Sequence, residues 1–195
     1  MDNMENTDYA LRAARLRGQL RRHMNGAVVE DMKNCGMTGY ASNWGVSLPE
    51  IRRIARGLAY DHDFARFLYG QGLRELLLSA YIIADPKAVT VEELDFWGAG
   101  VVNAELAENL SFSLLMHTTG LVRPVIDRWL KDESPELLRY CALLTLARMA
   151  VAGKLSDGER SEALQLAQKF AGDGSLLVSS AARSLQERLT EENGI

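Results

Sequence analysis

An all-α fold of short helices stacked in pairs is what this sequence predicts, on three observations. Apolar residues recur at helical spacing in nearly every segment, and no stretch alternates with period two between turn dipeptides, so strands are not indicated. Proline occurs only four times in 195 residues, and Pro49 and Pro135 both stand where a helix can begin. Three Ser/Thr-x-x-Glu patterns, Ser47/Glu50, Thr90/Glu93 and Ser156/Glu159, have the form of capping boxes, in which hydroxyl and carboxylate satisfy two free N–H groups of a first helical turn.

Taken in order, a first helix is expected from about Thr7 to His23, capped by Thr7 or Asp8 and rich in arginine: Arg12, Arg15, Arg17, Arg21 and Arg22. A weaker segment covers Ala27–Cys35 and stops at Gly36. The stretch after it, with Tyr40 and Trp44, reads as a loop. Ser47 then opens a helix whose Ile51, Ile54, Ala55 and Leu58 lie at i, i+3, i+4 and i+7, one apolar face. Arg52, Arg53 and Arg56 fall off that face. They fit either a solvated surface or a surface that meets a polyanion. A short helix follows from His62 to Tyr69, led by Asp61 or Asp63, and Gly70-Gln71-Gly72 ends it. Leu73–Ala84 is strongly apolar. Thr90 opens a helix to about Gly98, and Val101–Thr118 and Leu121–Lys131 follow. Ser134, as cap, and Pro135 start a long helix to Ala152. Ser156 starts one to about Ala171, and Ser175 to Thr190 is the last, with residues 191–195 read as a frayed end.

Leu121–Ala152 and Ser156–Thr190 each make a helix pair of about the length of a HEAT-like repeat. Neither pair can bury its own apolar face, so neighbours must stack, either into a solenoid or into a closed bundle. The length suits a single domain over residues 1–195. The net charge of −4 argues against a protein that coats nucleic acid indiscriminately. The charge is uneven, however. Residues 1–60 hold nine Lys/Arg against six Asp/Glu, a balance of +3, and the rest of the chain carries −7. Cys35 and Cys141 stand far apart, outside any metal-binding pattern, and read as reduced thiols of a cytoplasmic protein. His23, His62 and His117 have neither metal nor triad spacing. There is no glycine-rich phosphate loop, no apolar run long enough for a membrane and no secretory leader in the acidic first residues, so no cofactor, metal or membrane partner is expected.

Tyr40 followed by Trp44-Gly-Val-Ser-Leu-Pro-Glu-Ile-Arg-Arg-Ile-Ala resembles the Y-x-G-V-x-V-P-x-L-R-x-I/L-A signature of the DNA alkylation repair family, the AlkD-like glycosylases. Further segments follow in the family's order: Asp61-His62-Asp63, Leu68-Tyr69, Arg74-Glu75, Ile83-Ala84-Asp85-Pro86-Lys87-Ala88-Val89-Thr90, and Val102-Asn103-Ala104-Glu105-Leu106-Ala107-Glu108 after Trp97. The resemblance implies an all-α, HEAT-like helical-repeat solenoid, an α-α superhelix, whose concave basic face holds duplex DNA, including alkylated DNA.

The same resemblance implies excision of cationic alkylpurines. In that chemistry a carboxylate stabilises the positive charge that develops on the sugar, and aromatic faces hold the cationic base. The motif aspartate falls on Glu108 and the motif tryptophan on Ala104. The arginine falls on Arg139 or Tyr140, and the tryptophan of the last helix near Arg183. The implied catalytic residue is therefore Glu108, in an altered site without its aromatic walls. The implied DNA contacts are Arg12, Arg52, Arg53, Arg56, Asn103, Arg139 and Arg183. The alternative is a catalytically inactive HEAT-repeat scaffold that binds protein or nucleic acid.

Overall fold

A computed structural model describes residues 2–191 of the chain, with side chains described for residues 6–190. Eleven α-helices and one 3-10 turn are present among the described residues. The nearest approach to a strand there is an isolated parallel bridge between Ser42 and Leu73. Contacts gather into two compact units, Met1–Ala88 and Val89–Ile195.

The first unit holds α1 (Asp2–Arg21), α2 (Gly26–Asn34), α3 (Leu48–Ala55), α4 (His62–Tyr69) and α5 (Arg74–Ile83). Helix α1 begins before the expected caps, so Thr7 and Asp8 lie inside it. It buries Ala13, Leu16 and Leu20 and packs on α3 and α4. Asp61 caps α4 as expected, its carboxylate accepting from the Phe64 N–H at 3.0 Å. Asn25 caps α2, where its side chain accepts from Ala27 and Val28.

The loop that carries the family-like signature is held by a buried charge. Glu75, fully buried on α5, accepts from the backbone N–H groups of Trp44 (3.3 Å) and Val46 (3.1 Å). The Arg74 guanidinium, 3 % exposed, donates to Glu75 at 3.2 Å and to the Val46 carbonyl at 2.8 Å. A buried carboxylate is tolerated only when its lone pairs are met, and here two loop amides and a guanidinium meet them. Between those amides, Gly45 adopts φ +68, and a Cβ there would lie 2.1 Å from the Asn25 carbonyl oxygen. Only glycine permits that approach.

At α3 the expected capping box does not form. Ser47 makes no side-chain cap bond, and Glu50 turns instead to Arg53, whose Nε and Nη2 donate to one of its oxygens at 2.9 and 2.7 Å. A bidentate guanidinium outcompetes a lone N–H for the carboxylate. Ile51, Ile54 and Ala55 are buried as expected. The helix ends at Ala55, so Leu58 leaves that face and is exposed.

The second unit holds α6 (Glu93–Ala99), α7 (Ala104–Ser113), a 3-10 turn (Leu115–His117), α8 (Val122–Trp129), α9 (Glu136–Val151), α10 (Asp157–Phe170) and α11 (Leu176–Glu191). The long apolar α9 is its centre, packed by α7, α8, α10 and α11. Helices α8 with α9 and α10 with α11 are the two expected pairs. Trp97 and Trp129 are core anchors, as expected, and Gly98 lets the Trp129 ring approach to 3.0 Å of where a Cβ would stand.

Three local expectations fail here. Thr90 does not cap α6, which begins at Glu93; its hydroxyl bonds the Glu92 carboxylate. The span expected over Val101–Thr118 is shorter, because Asn103 caps α7 and the chain tightens into the 3-10 turn after Ser113. Ser134 donates to the Arg128 carbonyl, and Pro135 takes the cap position of α9. The third box does form: the Ser156 hydroxyl accepts from the Glu159 N–H, and the Glu159 carboxylate accepts from the Ser156 N–H at 2.8 Å. Apart from the backbone of Glu191, which ends α11, the frayed end expected at residues 191–195 lies outside the described residues.

Candidate functional site

In the first unit the candidate side chains come from α1, α3 and the residues just past their ends. A cleft of about 370 Å³ opens between them, lined by Gln19, Arg22, His23, Arg53, Ile54, Gly57 and Leu58. Arg53 reaches it while paired with Glu50, which also lies 3.7 Å from His23. That pairing holds the Glu50 carboxyl below its ordinary range and raises the Arg53 guanidinium. Arg52 on α3 and Arg56 at its C-cap lie one turn apart. Burial first, and the positive charge of Arg56 second, push the Arg52 guanidinium down from its ordinary value. Two like charges kept close with one of them partly desolvated are a local field that an anion would relieve.

Arg15 on α1 and Arg22 just past its end stand at i and i+7 of one stripe, with Gly18 and Gln19 between them. Arg15, Arg21, Arg22 and Arg56 are exposed and form no ion pair or hydrogen bond through their side chains among the described residues. Arg12 behaves differently. It binds the Asp61 carboxylate at 2.7 Å and lies 4.0 Å from the Phe64 ring centre, so it ties α1 to the start of α4.

In the second unit, Glu108 on α7 is exposed and accepts a 2.8 Å hydrogen bond from the Tyr140 hydroxyl on α9. Of the two positions on which the motif arginine could fall, Tyr140 is thus the one that meets the carboxylate. Burial, and then the bond to Glu108, push the Tyr140 phenol well above its ordinary range. Two turns along α9, half-buried Arg148 stands 5.5 Å from the Phe112 ring centre and feels the Glu108 charge. Burial lowers its guanidinium, and Glu108 opposes that shift. Glu108, Tyr140, Arg148 and Phe112 therefore form one surface cluster, with buried Cys141 beneath, its thiol pushed up to about 12 by desolvation. The cluster can hold negative charge at a fixed point beside a phenol and a cation over an aromatic face. Ala104, half-buried in the first turn of α7, offers no aromatic wall.

Three other candidates are engaged within the fold. Arg139 lies 3.2 Å from Asp173 and donates to the Asp132 carbonyl, with both members of the ion pair largely buried. Arg183 donates to the Ala171 carbonyl at 3.1 Å and so closes the end of α10. The Asn103 side chain accepts from the Leu106 N–H as the cap of α7. Arg148 and Phe112 were not foreseen. Each shares a helix face with a named residue, at i+8 from Tyr140 and i+4 from Glu108, but only the packing of α7 on α9 makes them neighbours.

No group of three or more His, Cys, Asp or Glu side chains able to hold a metal ion exists among the described residues, and none of their helices is long and apolar enough to cross a membrane. No curated protein matches the chain significantly. Among solved structures, one described as belonging to a new family of proteins related to the HEAT-like repeat DNA glycosylases, with affinity for branched DNA structures, matches with a TM-score of 0.76 at 18 % identity. The match covers 90 % of this chain and 74 % of that one. That likeness assigns the fold: all-α, of the HEAT-like helical-repeat class. The profile of the DNA alkylation repair enzyme family matches residues 16–184, and the chain belongs to that family.

Proposed function

We propose that this protein binds DNA through the arginine surface of α1 and α3 and recognises DNA structure without excising bases. The observation that carries the proposal is the set Arg15, Arg21, Arg22 and Arg56: four exposed guanidiniums with no acidic partner among the described residues, on an otherwise acidic chain. Guanidiniums left uncompensated at a surface gain most from phosphates, whose counterions are released on binding. Arg52 lies beside them on α3, and Arg53 there is already paired with Glu50. The affinity of the structural relative for branched DNA supports the same ligand class here. On the catalytic side, Glu108 is hydrogen-bonded by Tyr140 and faces Arg148, which hold its charge in place, and Ala104 stands where the motif tryptophan falls.

The test is fluorescence anisotropy with a linear duplex and a four-way junction across a salt series. Binding should weaken linearly in log–log form, and Arg22→Ala or Arg56→Ala should each flatten the slope by about 1. Absence of binding to both DNAs at ~50 mM salt, where phosphate contacts are strong, refutes the proposal.

A second reading retains excision, because Glu108 stands at the family's aspartate position and is exposed. Release of an alkylated purine from duplex DNA, abolished by Glu108→Gln, would establish it. A protein partner for the same surface would instead be indicated by a salt-dependent complex that DNA does not displace.

A further inference from the structure

We infer that Tyr60 is a stacking platform for an unpaired base, so that the ligand of the first unit is DNA with a branch point or single-stranded segment beside its duplex. The inference rests on the DNA-binding proposal above and adds the feature of the DNA that is read. Tyr60 is 67 % exposed, the most exposed aromatic among the described residues of this unit, and its side chain has no partner among them. An aromatic ring left in water loses the burial that normally favours it, so the fold gains nothing from holding this one out.

The turn that carries the ring is pinned. The Leu58 N–H bonds the Ala55 carbonyl at 3.0 Å, and the Asp61 N–H bonds the Ile83 carbonyl at 2.9 Å. The Asp61 carboxylate accepts from Arg12 at 2.7 Å and from the Phe64 N–H at 3.0 Å. The ring is therefore presented from a fixed point.

Its neighbours along the chain select the ligand. Arg56 lies four residues before Tyr60, at most about 14 Å of extended chain away. Leu58, between them, lines the cleft that holds Arg22 and Arg53. A strand advances about 3.4 Å per phosphate along the helix axis, so one short stretch of strand can meet both the guanidiniums and the ring. Charge alone would suit any duplex. The ring distinguishes ligands, because bases inside a duplex already stack on one another and leave no face free, whereas a base at a junction or in a single strand offers its π-face. Arginines beside an aromatic ring are the pairing that single-strand recognition uses, with the backbone neutralised and the base stacked.

The experiment measures the wild-type protein, Tyr60→Ala, Tyr60→Phe and Arg56→Ala against a forked junction with two unpaired arms and a linear duplex of the same paired sequence, with 2-aminopurine, a stacking reporter, as the first unpaired base at the branch point. Tyr60→Ala should weaken junction binding about tenfold, leave duplex binding within about twofold, and abolish the quenching of 2-aminopurine. Tyr60→Phe should retain affinity and quenching, since the face and not the hydroxyl does the work. Arg56→Ala should weaken both DNAs. If Tyr60→Ala leaves both affinities unchanged, or lowers them equally while Arg56→Ala also lowers both, the stacking inference is overturned and the DNA-binding proposal stands. If the wild-type protein binds neither DNA, both fall. Equal melting temperatures for Tyr60→Ala and wild type exclude misfolding as the cause of any loss.

Discussion

Gly45→Ala should be among the most damaging single methyl groups that can be added to this chain. The new Cβ would lie 2.1 Å from the Asn25 carbonyl oxygen and 2.9 Å from Val29 Cγ2, where real Cβ contacts essentially never fall below 3.0 Å. The chain must therefore move by roughly 1 Å, a scale at which core overpacking costs about 1–3 kcal/mol. Asn25 cannot yield freely. Its N–H donates to the Trp44 carbonyl at 2.9 Å, and its carbonyl accepts from Val29 in the first turn of α2. Losing one such bond costs about 1 kcal/mol. Gly45 also sits at φ +68, where an L side chain adds about 1–2 kcal/mol. Together these come to about 3–6 kcal/mol by the same estimates.

Gly36 is the control. Its φ of +75 carries the same backbone strain, but nothing lies within 4 Å of its Cβ position. Gly36→Ala should cost only the conformational part, about 1–2 kcal/mol. At about 2–4 °C per kcal/mol for a chain of this length, Gly45→Ala should melt some 5–15 °C below Gly36→Ala. Differential scanning calorimetry of the two variants reads the difference directly. Equal losses would refute the close approach of Asn25 as the reason for glycine in this motif.

Two further predictions concern the Tyr140 phenol and the helix-capping serines. The Tyr140 phenol is raised from its ordinary value of 10.0 by burial and the Glu108 bond, so the folded protein holds that proton more tightly than the unfolded chain. Its contribution is full below about pH 10 and is lost as pH rises through the folded value, so stability should fall in that window. Ultraviolet titration should find Tyr140 among the tyrosines that resist ionisation, and Glu108→Gln should bring one of them part of the way back; a titration that Glu108→Gln leaves unchanged would count against the bond. Ser156→Ala breaks the capping box that forms and should cost about 0.5–2 kcal/mol, whereas Ser47→Ala removes a hydroxyl that caps nothing and should stay within about 0.5 kcal/mol, as denaturant melts would show.

Much of the fold was legible because helices are written locally. The apolar spacing of Ile51, Ile54 and Ala55 and the stop at Gly36 depend on residues within a turn or two, and each held. Of the three capping boxes, Ser156/Glu159 formed. Ser47/Glu50 did not, because Arg53, three residues beyond the carboxylate, binds it in two-pronged fashion. The box rule sees the serine and the acid but not a competing cation. Likewise Leu58 fits the helical stripe in sequence but falls past the end of α3.

The sequence by itself determined the helical class, most element boundaries to within a few residues, and the concentration of arginine near the amino end, since spacing, caps and charge are properties of the local chain. The ordered motifs from Tyr40 to Glu108 also carried the family. Only the tertiary structure decided what the individual charges do. Arg12, Arg139 and Arg183 look like Arg22 and Arg56 in one dimension, yet the first three close helix ends or bridge elements and the last two stand clear. Glu75, indistinguishable in sequence from a surface acid, proved to be the buried anchor of the Trp44–Val46 loop. Glu108 met Tyr140 thirty-two residues away because α7 packs on α9. A side chain's partner is set by which helices touch, and that information is shared across the whole core rather than written beside the residue.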